Sequence, residues 1–384
     1  MKSVDCKGGE VGEWQPEKVI TLNKHVTKIP VILGATAVGK TEVSLLLAER
    51  MGAEIVSADA FQVYRGMDIG TAKPGPDELS RIPHHLIDIL ELNEEYSASR
   101  FRSLALSAIE DVRSRGSIPM VAGGSGLYIK ALVDGLFESP PADQEYRDFL
   151  WREEDEKGPG YLHNLLLKDD PPSADRIHPN NIKRVIRALE VFKLTGVPIS
   201  RWQKQWGGND ERSPSLRQGY GGQAFNDAEP RESSTVNRQP STGNNQLSTP
   251  HSPFPIPYSL IGLRRDREDL YNRINRRVLE MFDLGLVDET RELLEKGLLE
   301  NRVACQALGY MEVRGYLAGE YGRDEAIKRL STKTRHFAKR QLTWWRQDAR
   351  IQWIDISEND LADDVADRIM EISIILNRKD NKDR

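Results

Sequence analysis

The feature that most restricts the fold is a glycine-rich loop in residues 30–50, PVILGATAVGKTEVSLLLAER. A short β-branched run precedes it, and Val43, Leu46 and Leu47 share one side of the helix expected after it. Glycines let backbone N–H groups converge on one point, where the helix N-terminus adds positive dipole. The spacing therefore predicts a strand, a phosphate-binding loop and a helix. The loop residues are Gly34, Ala35, Thr36, Ala37, Val38, Gly39, Lys40 and Thr41.

Two side chains of this loop carry the expected chemistry. Lys40 would bring a positive charge to a phosphate, and Thr41 would offer its hydroxyl to Mg²⁺, the cofactor that we predict. The spacing indicates phosphate binding but leaves the reaction open. Most chains with such a loop act on a nucleoside triphosphate, so a kinase that uses ATP is one alternative. An RNA-binding module whose loop only senses a nucleotide is another.

Strand and helix patterns alternate along the rest of the chain. Buried-strand runs at 53–60, 117–126 and 258–263 are separated by helical patterns such as 97–116. This alternation predicts an α/β fold with a parallel sheet, like that of P-loop nucleoside triphosphatases. Strand patterns disappear between 137 and 205. An amphipathic helix over 178–196, capped by Asn180 or Asn181, indicates an inserted all-helical subdomain there.

The predicted unit boundaries follow from these patterns and from composition. Residues 207–257 are rich in Pro, Gly, Ser, Asn and Gln, and they bury too little apolar surface to order their backbone. We therefore expect a flexible insertion, then one strand, then helices to the end of the chain. The expected units are an N-terminal extension 1–28, a first core part 29–136, a helical insertion 137–206, a low-complexity insertion 207–257, the completed core with basic helices 258–375, and a tail 376–384.

Composition excludes several classes of protein. No apolar run approaches the ~20 residues that a membrane span needs, and the N-terminus lacks the apolar stretch of a signal peptide. We therefore expect a cytoplasmic protein with no membrane partner. Cys6 and Cys305 are isolated in sequence, which favours ordinary thiols over a zinc or redox site. The net charge of the whole chain is −5, but residues 328–350 carry a local excess of positive charge. This segment has eight basic residues and one acidic residue, Asp348.

Polar residues follow two of the predicted strands. Asp59 comes after a buried strand, where a parallel sheet presents ligand-binding groups. In a kinase this acid could bind a metal or activate a hydroxyl. Asp68 is a competing acid, but it lies in a loop and could only cap a turn. The strand at 117–126 ends in Gly123-Gly124-Ser125 instead of the acid of usual triphosphatase sites, which weakens the ATPase interpretation.

A set of motifs resembles the tRNA dimethylallyltransferases: GATAVGKT, DAFQVYRGMDIGTAKP, PHHLID, GGSGLYIKAL, RALEVF and KRQLTWWR. They occur in that family's order over residues 30–355, the low-complexity insertion excepted. The resemblance implies transfer of a dimethylallyl group from dimethylallyl diphosphate to N6 of the adenosine 3′ of the anticodon, with diphosphate as leaving group. It implies a monomer whose partners are dimethylallyl diphosphate and the anticodon stem-loop of tRNA.

The resemblance also implies three catalytic residues. Asp59 would accept the N6 proton and orient the amine, while Gln62 would contact another edge of the base. Ser125 stands where the family usually has threonine, and its hydroxyl would face the leaving group. Arg147 stands where the family carries an arginine close to the reaction centre.

The adenine has to leave its stack to reach the allylic carbon, and basic and aromatic side chains would hold the opened loop. Lys183 departs from the family's usual glutamine. On composition alone, either tryptophan of the basic helix is more typical of a core. Arg273 and Arg277 could face the same cleft, in which the basic and aromatic side chains would hold the opened loop. The predicted tRNA-binding residues are Asp59, Ala60, Phe61, Gln62, Lys183, Arg184, Arg187, Gln306, Gly309, Tyr310, Lys339, Arg340, Gln341, Trp344, Trp345 and Arg346.

Overall fold

A computed structural model gives the fold of residues 28–135, 140, 142–201 and 257–380, with the backbone alone for 373–380. The predicted N-terminal extension 1–28 and low-complexity insertion 207–257 lie outside the described residues except for Lys28 and Pro257. Cys6, residues 202–206 of the predicted helical insertion and the end of the predicted tail also lie outside them. Within the described ranges, no helix has the length and apolar content to cross a membrane.

Six parallel strands form one sheet in the order β3-β2-β4-β1-β5-β6. Both faces of the central strands are covered, so their sequences are continuous apolar runs. This confirms the predicted α/β fold. The strands are β1 (Ile29–Gly34), β2 (Ala53–Ser57), β3 (His84–His85), β4 (Ile118–Gly123), β5 (Tyr258–Arg265) and β6 (Gln352–Ile356).

Helices cover both faces of this sheet. Val31 and Leu33 of β1 pack into one apolar cluster and Ile32 into the opposite one, as the alternation of a strand requires. The helices are α1 (Lys40–Met51), α2 (Pro76–Arg81), α3 (Ala98–Ser114), α4 (Gly126–Asp134), α5 (Gln144–Lys157), α6 (Tyr161–Asp169), α7 (Pro171–Ala174), α8 (Ile182–Thr195), α9 (Arg267–Asp283), α10 (Leu286–Glu295), α11 (Tyr310–Leu317), α12 (Arg323–Trp345) and α13 (Ala362–Asp380).

Helices α5 to α8 form a subdomain with its own apolar cluster, which includes Leu150, Leu166 and Val185. The predicted helix over 178–196 begins later, at Ile182, because residues 178–181 form a turn. Asn181 occupies the N-cap position without a side-chain cap bond, and Gly196 ends the helix with φ of +68°.

Two strands were not predicted. His84 and His85 form β3 and pair with β2. A strand of two residues is too short to give a periodic pattern. The expectation of helices from β5 to the end is also wrong, because Gln352–Ile356 forms β6 along the free edge of β5.

The sheet brings several strand ends to one edge. Gly34, Ser57 and Gly123 close β1, β2 and β4 at their carboxyl ends, which lie side by side in a parallel sheet. The long basic helix α12 packs against α4, α9 and β1 at this edge. The phosphate-binding loop and the basic helix are therefore neighbours although about 300 residues separate them.

Candidate active site

Two cavities open at the carboxyl edge of the sheet and share a wall. The first, here called the phosphate chamber, has a volume of about 860 Å³ and borders the phosphate-binding loop and α1. The second, here called the apolar chamber, has a volume of about 540 Å³ and borders α12 and residues 305–308. A ligand bound in one chamber can therefore contact, at the shared wall, a ligand bound in the other chamber. The shared wall includes Thr36, Asp59, Thr71, Gly124, Arg277 and Gln341.

The loop between β1 and α1 is wrapped around the ammonium group of Lys40. Lys40 Nζ donates to the carbonyl oxygens of Gly34 at 3.1 Å and Ala35 at 2.8 Å. Gly39 has φ of +107°, a value that favours glycine. A Cβ at Gly34 would lie 2.8 Å from the carbonyl oxygen of Leu263. These two glycines allow the tight turn from which α1 starts with its N-terminus toward the chamber.

Arginines from β5 and α9 support the loop from the other side. Arg265 Nε donates to the carbonyl oxygen of Val38, and Arg273 Nε donates to that of Ala37, each at 2.9 Å. Arg277 donates to the Thr36 hydroxyl at 3.2 Å. Arg277 lines both chambers, whereas Arg273 lines the phosphate chamber and is not among the described residues that line the apolar one. Arg265 was missed, and its position at the end of a central strand was the available signal.

The cationic side of the phosphate chamber is desolvated. Burial lowers the pKa of Lys40 to about 8 and also lowers the pKa of Arg277. The negative charge of Asp59 opposes both shifts. An anionic ligand would favour the charged forms of both side chains. The chamber is therefore built to accept an anion.

Asp59 lies at the junction of the two chambers. Its Oδ1 accepts from the backbone N–H groups of Phe61 at 2.9 Å and Gln62 at 3.3 Å. Gln62 Nε2 donates in turn to the carbonyl oxygens of Thr71 at 3.4 Å and Ala72 at 3.2 Å. These bonds hold the carboxylate in the shared wall, where it can accept a proton from a ligand.

Gln341 of α12 joins the phosphate-binding loop to the end of β4. Its Oε1 accepts from the backbone N–H of Thr36 at 2.8 Å, and its Nε2 donates to the carbonyl oxygen of Gly124 at 3.0 Å. A Cβ at position 124 would lie 2.5 Å from Gln341 Nε2, so a side chain there would displace the amide. Ser125 is buried, between the wall residues Gly124 and Gly126. The predicted role of its hydroxyl stays a prediction.

The oxygen atoms near Thr41 fit a magnesium ion. Thr41 and Ser44 line the phosphate chamber, and Ser44 Oγ is buried without a hydrogen-bond partner. Among the residues that the structure describes, no group of three or more His, Cys, Asp or Glu could hold a metal. Mg²⁺ commonly takes few protein oxygens together with water and ligand phosphates. The Thr41 hydroxyl and a bound diphosphate would suit that preference.

A family model described as IPP transferase matches residues 62–226 and 228–348. The chain belongs to the IPP transferase family. A tRNA dimethylallyltransferase of Geobacillus kaustophilus is 41% identical over 347 residues, which cover 90% of this chain and 95% of the relative. One of Acetivibrio thermocellus is 42% identical over 331 residues, which cover 86% of this chain and 92% of the relative.

Solved structures of the IPP transferase family share the fold. The crystal structure of a tRNA isopentenylpyrophosphate transferase from Bacillus halodurans has a TM-score of 0.59 and 35% identity, covering 93% of this chain and 99% of that chain. A eukaryotic dimethylallyltransferase acting on tRNA has a TM-score of 0.64 and 26% identity, covering 86% of this chain and 74% of that chain. The resemblance found in the motifs is confirmed.

In this IPP transferase, Arg147 lies on α5 of the helical subdomain. Its Nε and one terminal nitrogen each donate to Glu190 at 2.8 Å, and Arg187 also pairs with that fully buried carboxylate. Arg147 is not among the described residues that line either chamber. The structure therefore places it in an ion-pair cluster of the subdomain, and its predicted role at the reacting atoms stays a prediction.

Tyr310, Gln341 and Trp345, three of the larger side chains predicted to bind tRNA, are buried, and their contact with tRNA stays a prediction. Tyr310 is 0% exposed and donates to Glu289, Trp345 is 3% exposed, and both the oxygen and the nitrogen of the Gln341 side-chain amide are hydrogen-bonded to the backbone. Ala338, Gln341 and Trp345 recur at helical spacing along the inner face of α12. That periodicity was present in the sequence, and composition alone also favoured a core position for the tryptophans, but the resemblance placed them among the tRNA-binding residues.

The remaining predicted tRNA-binding residues surround the apolar chamber or lie on the surface. Trp344 and Phe61 line the chamber, as do Gln306 and Arg340. Lys339 and Arg340 of α12 and Arg346 just beyond its end are exposed. Ala60 is buried, and Gly309 is the N-cap of α11 with φ of +107°.

The helical subdomain approaches the core beside the apolar chamber. Arg302 of the core donates to Gln144 of α5 at 3.1 Å. On α8, Lys183 is exposed, and burial lowers the pKa of Arg184. Burial raises the pKa of the Cys305 thiol, and the charge of Lys183 opposes that shift. On α12, the basic side chains of Lys333 and Arg340 line the apolar chamber.

Proposed function

We propose that this chain transfers the dimethylallyl group of dimethylallyl diphosphate to N6 of the adenosine 3′ of the anticodon in tRNA and releases diphosphate. The observation that carries the proposal is the meeting of an anion-binding chamber and an apolar chamber at one carboxylate, Asp59. The bacterial relatives are tRNA dimethylallyltransferases, which agrees with it. The predicted monomeric state and cytoplasmic location remain part of the proposal.

The phosphate chamber would hold the leaving group. The loop N–H groups, Lys40 and Arg277 would bind the two phosphates and stabilise the charge that develops on the bridging oxygen as the C–O bond breaks. Lys40 would exchange its bonds with two loop carbonyls for bonds with phosphate oxygens. Thr41 would hold Mg²⁺, which would neutralise part of the charge of the diphosphate.

The apolar chamber would receive the flipped adenine. Unstacking a base costs a few kcal/mol, and stacking on Phe61, Phe337 or Trp344, which line the chamber, would offset that cost. The adenine N6 would then attack the allylic carbon. The new C–N bond replaces the C–O bond, and Asp59 accepts the proton that N6 loses.

The anticodon stem-loop would dock on the basic groups around the chamber mouth. Lys183 of α8 and Lys339 and Arg340 of α12 are exposed, and Arg340 lines the chamber. They would bind backbone phosphates and bring the loop to the chamber. Because exposed cations carry no sequence information by themselves, recognition of the adenine is assigned to the chamber.

The test offers dimethylallyl diphosphate labelled in its prenyl group, with tRNA carrying adenosine 3′ of the anticodon. We expect the label on the RNA and free diphosphate in solution. Asp59→Asn keeps an oxygen for the amides of Phe61 and Gln62 but removes the base, so transfer should fall about a hundredfold to ten-thousandfold. Affinity for tRNA should stay nearly unchanged.

Asp77→Asn is the matched control, because Asp77 is an exposed acid of α2. It should transfer the label at the parent rate. Normal turnover by Asp59→Asn would remove Asp59 from its role. If the label stays off the RNA while the γ-phosphate of ATP is transferred, the kinase alternative replaces the proposed function.

A further inference from the structure

The carboxylate of Glu289 on α10 accepts hydrogen bonds from two distant parts of the chain. Its Oε2 accepts from the backbone N–H groups of Asp68 at 3.1 Å and Ile69 at 2.7 Å. Its Oε1 accepts from the N–H of Gly70 at 3.0 Å and from the Tyr310 hydroxyl at 2.8 Å. One side chain thus fixes three consecutive amides of a loop and ties them to the start of α11.

The loop held in this way, residues 67–73, belongs to the active site. Thr71 lines both chambers. The carbonyl groups of Thr71 and Ala72 accept from Gln62 Nε2 at 3.4 and 3.2 Å. Gln62 in turn donates its backbone N–H to Asp59 at 3.3 Å. The position of the loop therefore affects the side chains that surround the proposed base.

Tyr310 fixes the same loop by contact. A Cβ at Gly70 would lie 2.5 Å from Tyr310 Cζ, so the ring packs directly on the loop backbone. Burial and the charge of Glu289 raise the pKa of Tyr310, so its hydroxyl keeps its proton and donates at neutral pH. Glu289 is not among the described residues that line either chamber, so it acts through this loop.

We propose that Glu289 is a positioning residue for prenyl transfer, whose carboxylate holds residues 68–70 and, through Gln62, the turn that carries Asp59. This inference rests on the proposed function. A neutral amide cannot replace the carboxylate, since its NH₂ group would face backbone N–H donors. A displacement of about 1 Å at a reacting group can cost a hundredfold in rate.

The test compares Glu289→Gln with the parent chain, well below the midpoint of thermal unfolding. Hydrogen exchange should become faster at the amides of residues 68–70. The kcat for prenyl transfer should fall roughly tenfold to a hundredfold, whereas the Kd for tRNA should match that of the parent. A residue that only stabilises the fold would lower the active fraction in proportion to unfolding and leave exchange at this loop unchanged at that temperature.

Glu292→Gln is the matched control, because Glu292 is exposed on the same helix and pairs only weakly with Lys296 at 3.4 Å. It should behave as the parent does. Tyr310→Phe removes one of the four donors and should give a smaller loss of kcat in the same direction. It also provides the test if Glu289→Gln does not fold.

The inference is overturned if loop exchange rises in either variant while kcat equals that of Glu292→Gln. It is also overturned if exchange at residues 68–70 stays at the parent rate. If the parent chain itself transfers no prenyl label, the proposed function fails. Loop exchange still reports separately whether Glu289 holds the loop.

Discussion

The phosphate chamber and the exposed face of α12 both carry positive charge, but they hold it differently. At the chamber, Arg273 is fixed by a 2.9 Å bond to a loop carbonyl, and burial lowers the pKa of Lys40. At the C-terminal end of α12, Lys339 and the C-cap residue Arg346 are exposed to solvent. Fixed, desolvated donors select an anion by shape, whereas exposed cations attract a polyanion in proportion to their number. Positive charge therefore selects a particular anion in the phosphate chamber, whereas on α12 it attracts a polyanion.

Removing the amide of Gln341 should damage the phosphate chamber most. Gln341→Ala leaves the Thr36 N–H and the Gly124 carbonyl without their partner. Unsatisfied groups of this kind lower the free energy of unfolding by about 1–3 kcal/mol. The displaced loop should slow transfer roughly tenfold to a hundredfold. Steady-state kinetics with varied dimethylallyl diphosphate and thermal unfolding measure the two effects.

Gln347→Ala is the control for this variant, because Gln347 is exposed just beyond α12. It should leave both quantities at parent values, and tRNA affinity should be similar in all three proteins. If Gln341→Ala binds tRNA more weakly but keeps the parent kinetics with dimethylallyl diphosphate, Gln341 belongs to the RNA-binding surface. The distinction between the two regions would then not hold at this position.

Local patterns predicted the parts of the site that are contiguous in sequence. The spacing from Gly34 to Thr41 and the position of Asp59 after a strand were enough to place both at the sheet edge. The bonds of Arg265, Gln341 and Glu289 join residues about 220 to 300 positions apart, and no local periodicity encodes such pairs. The burial of Trp345 was within reach, because helical spacing from Ala338 predicts it.

The exposed face of α12 should respond to salt. The double variant Lys339→Ala and Arg346→Ala would remove two cations from this face. If each neutralises one RNA phosphate, the slope of log K against log salt concentration should become about 1.5 less negative. Filter binding of tRNA at several salt concentrations measures the slope. Lys296→Ala, an exposed lysine on the loop after α10, is the control and should keep the parent slope.

An unchanged slope in the double variant would show that α12 does not contact the RNA backbone. Binding of dimethylallyl diphosphate should be equal in all three proteins, because these side chains lie outside the phosphate chamber wall. A loss of diphosphate binding in the double variant would contradict the separation of the two regions.

The smallest effect expected is a change with pH in the affinity of the phosphate chamber for dimethylallyl diphosphate. The exposed face of α12 should show no such change. Lys40 has its pKa lowered from 10.5 to about 8 in the unliganded chain, and a bound diphosphate favours the charged form. Affinity for dimethylallyl diphosphate, measured without tRNA by calorimetry, should therefore fall roughly fivefold from pH 8 to pH 9. Lys40→Arg should remove this fall, because arginine keeps its charge across the range.

The same shift has a definite sign for stability. Between about pH 8 and 10.5 the unfolded chain binds the Lys40 proton more strongly than the folded chain, so this group favours folding increasingly as pH rises through that window. Bound diphosphate reverses the preference by holding the proton in the folded state. The difference in unfolding midpoint between liganded and free protein should therefore narrow above pH 8 in the parent and stay constant in Lys40→Arg. If the difference in unfolding midpoint narrows equally in both proteins, a group other than Lys40 titrates in this pH range. The pH dependence of diphosphate binding would then not come from Lys40.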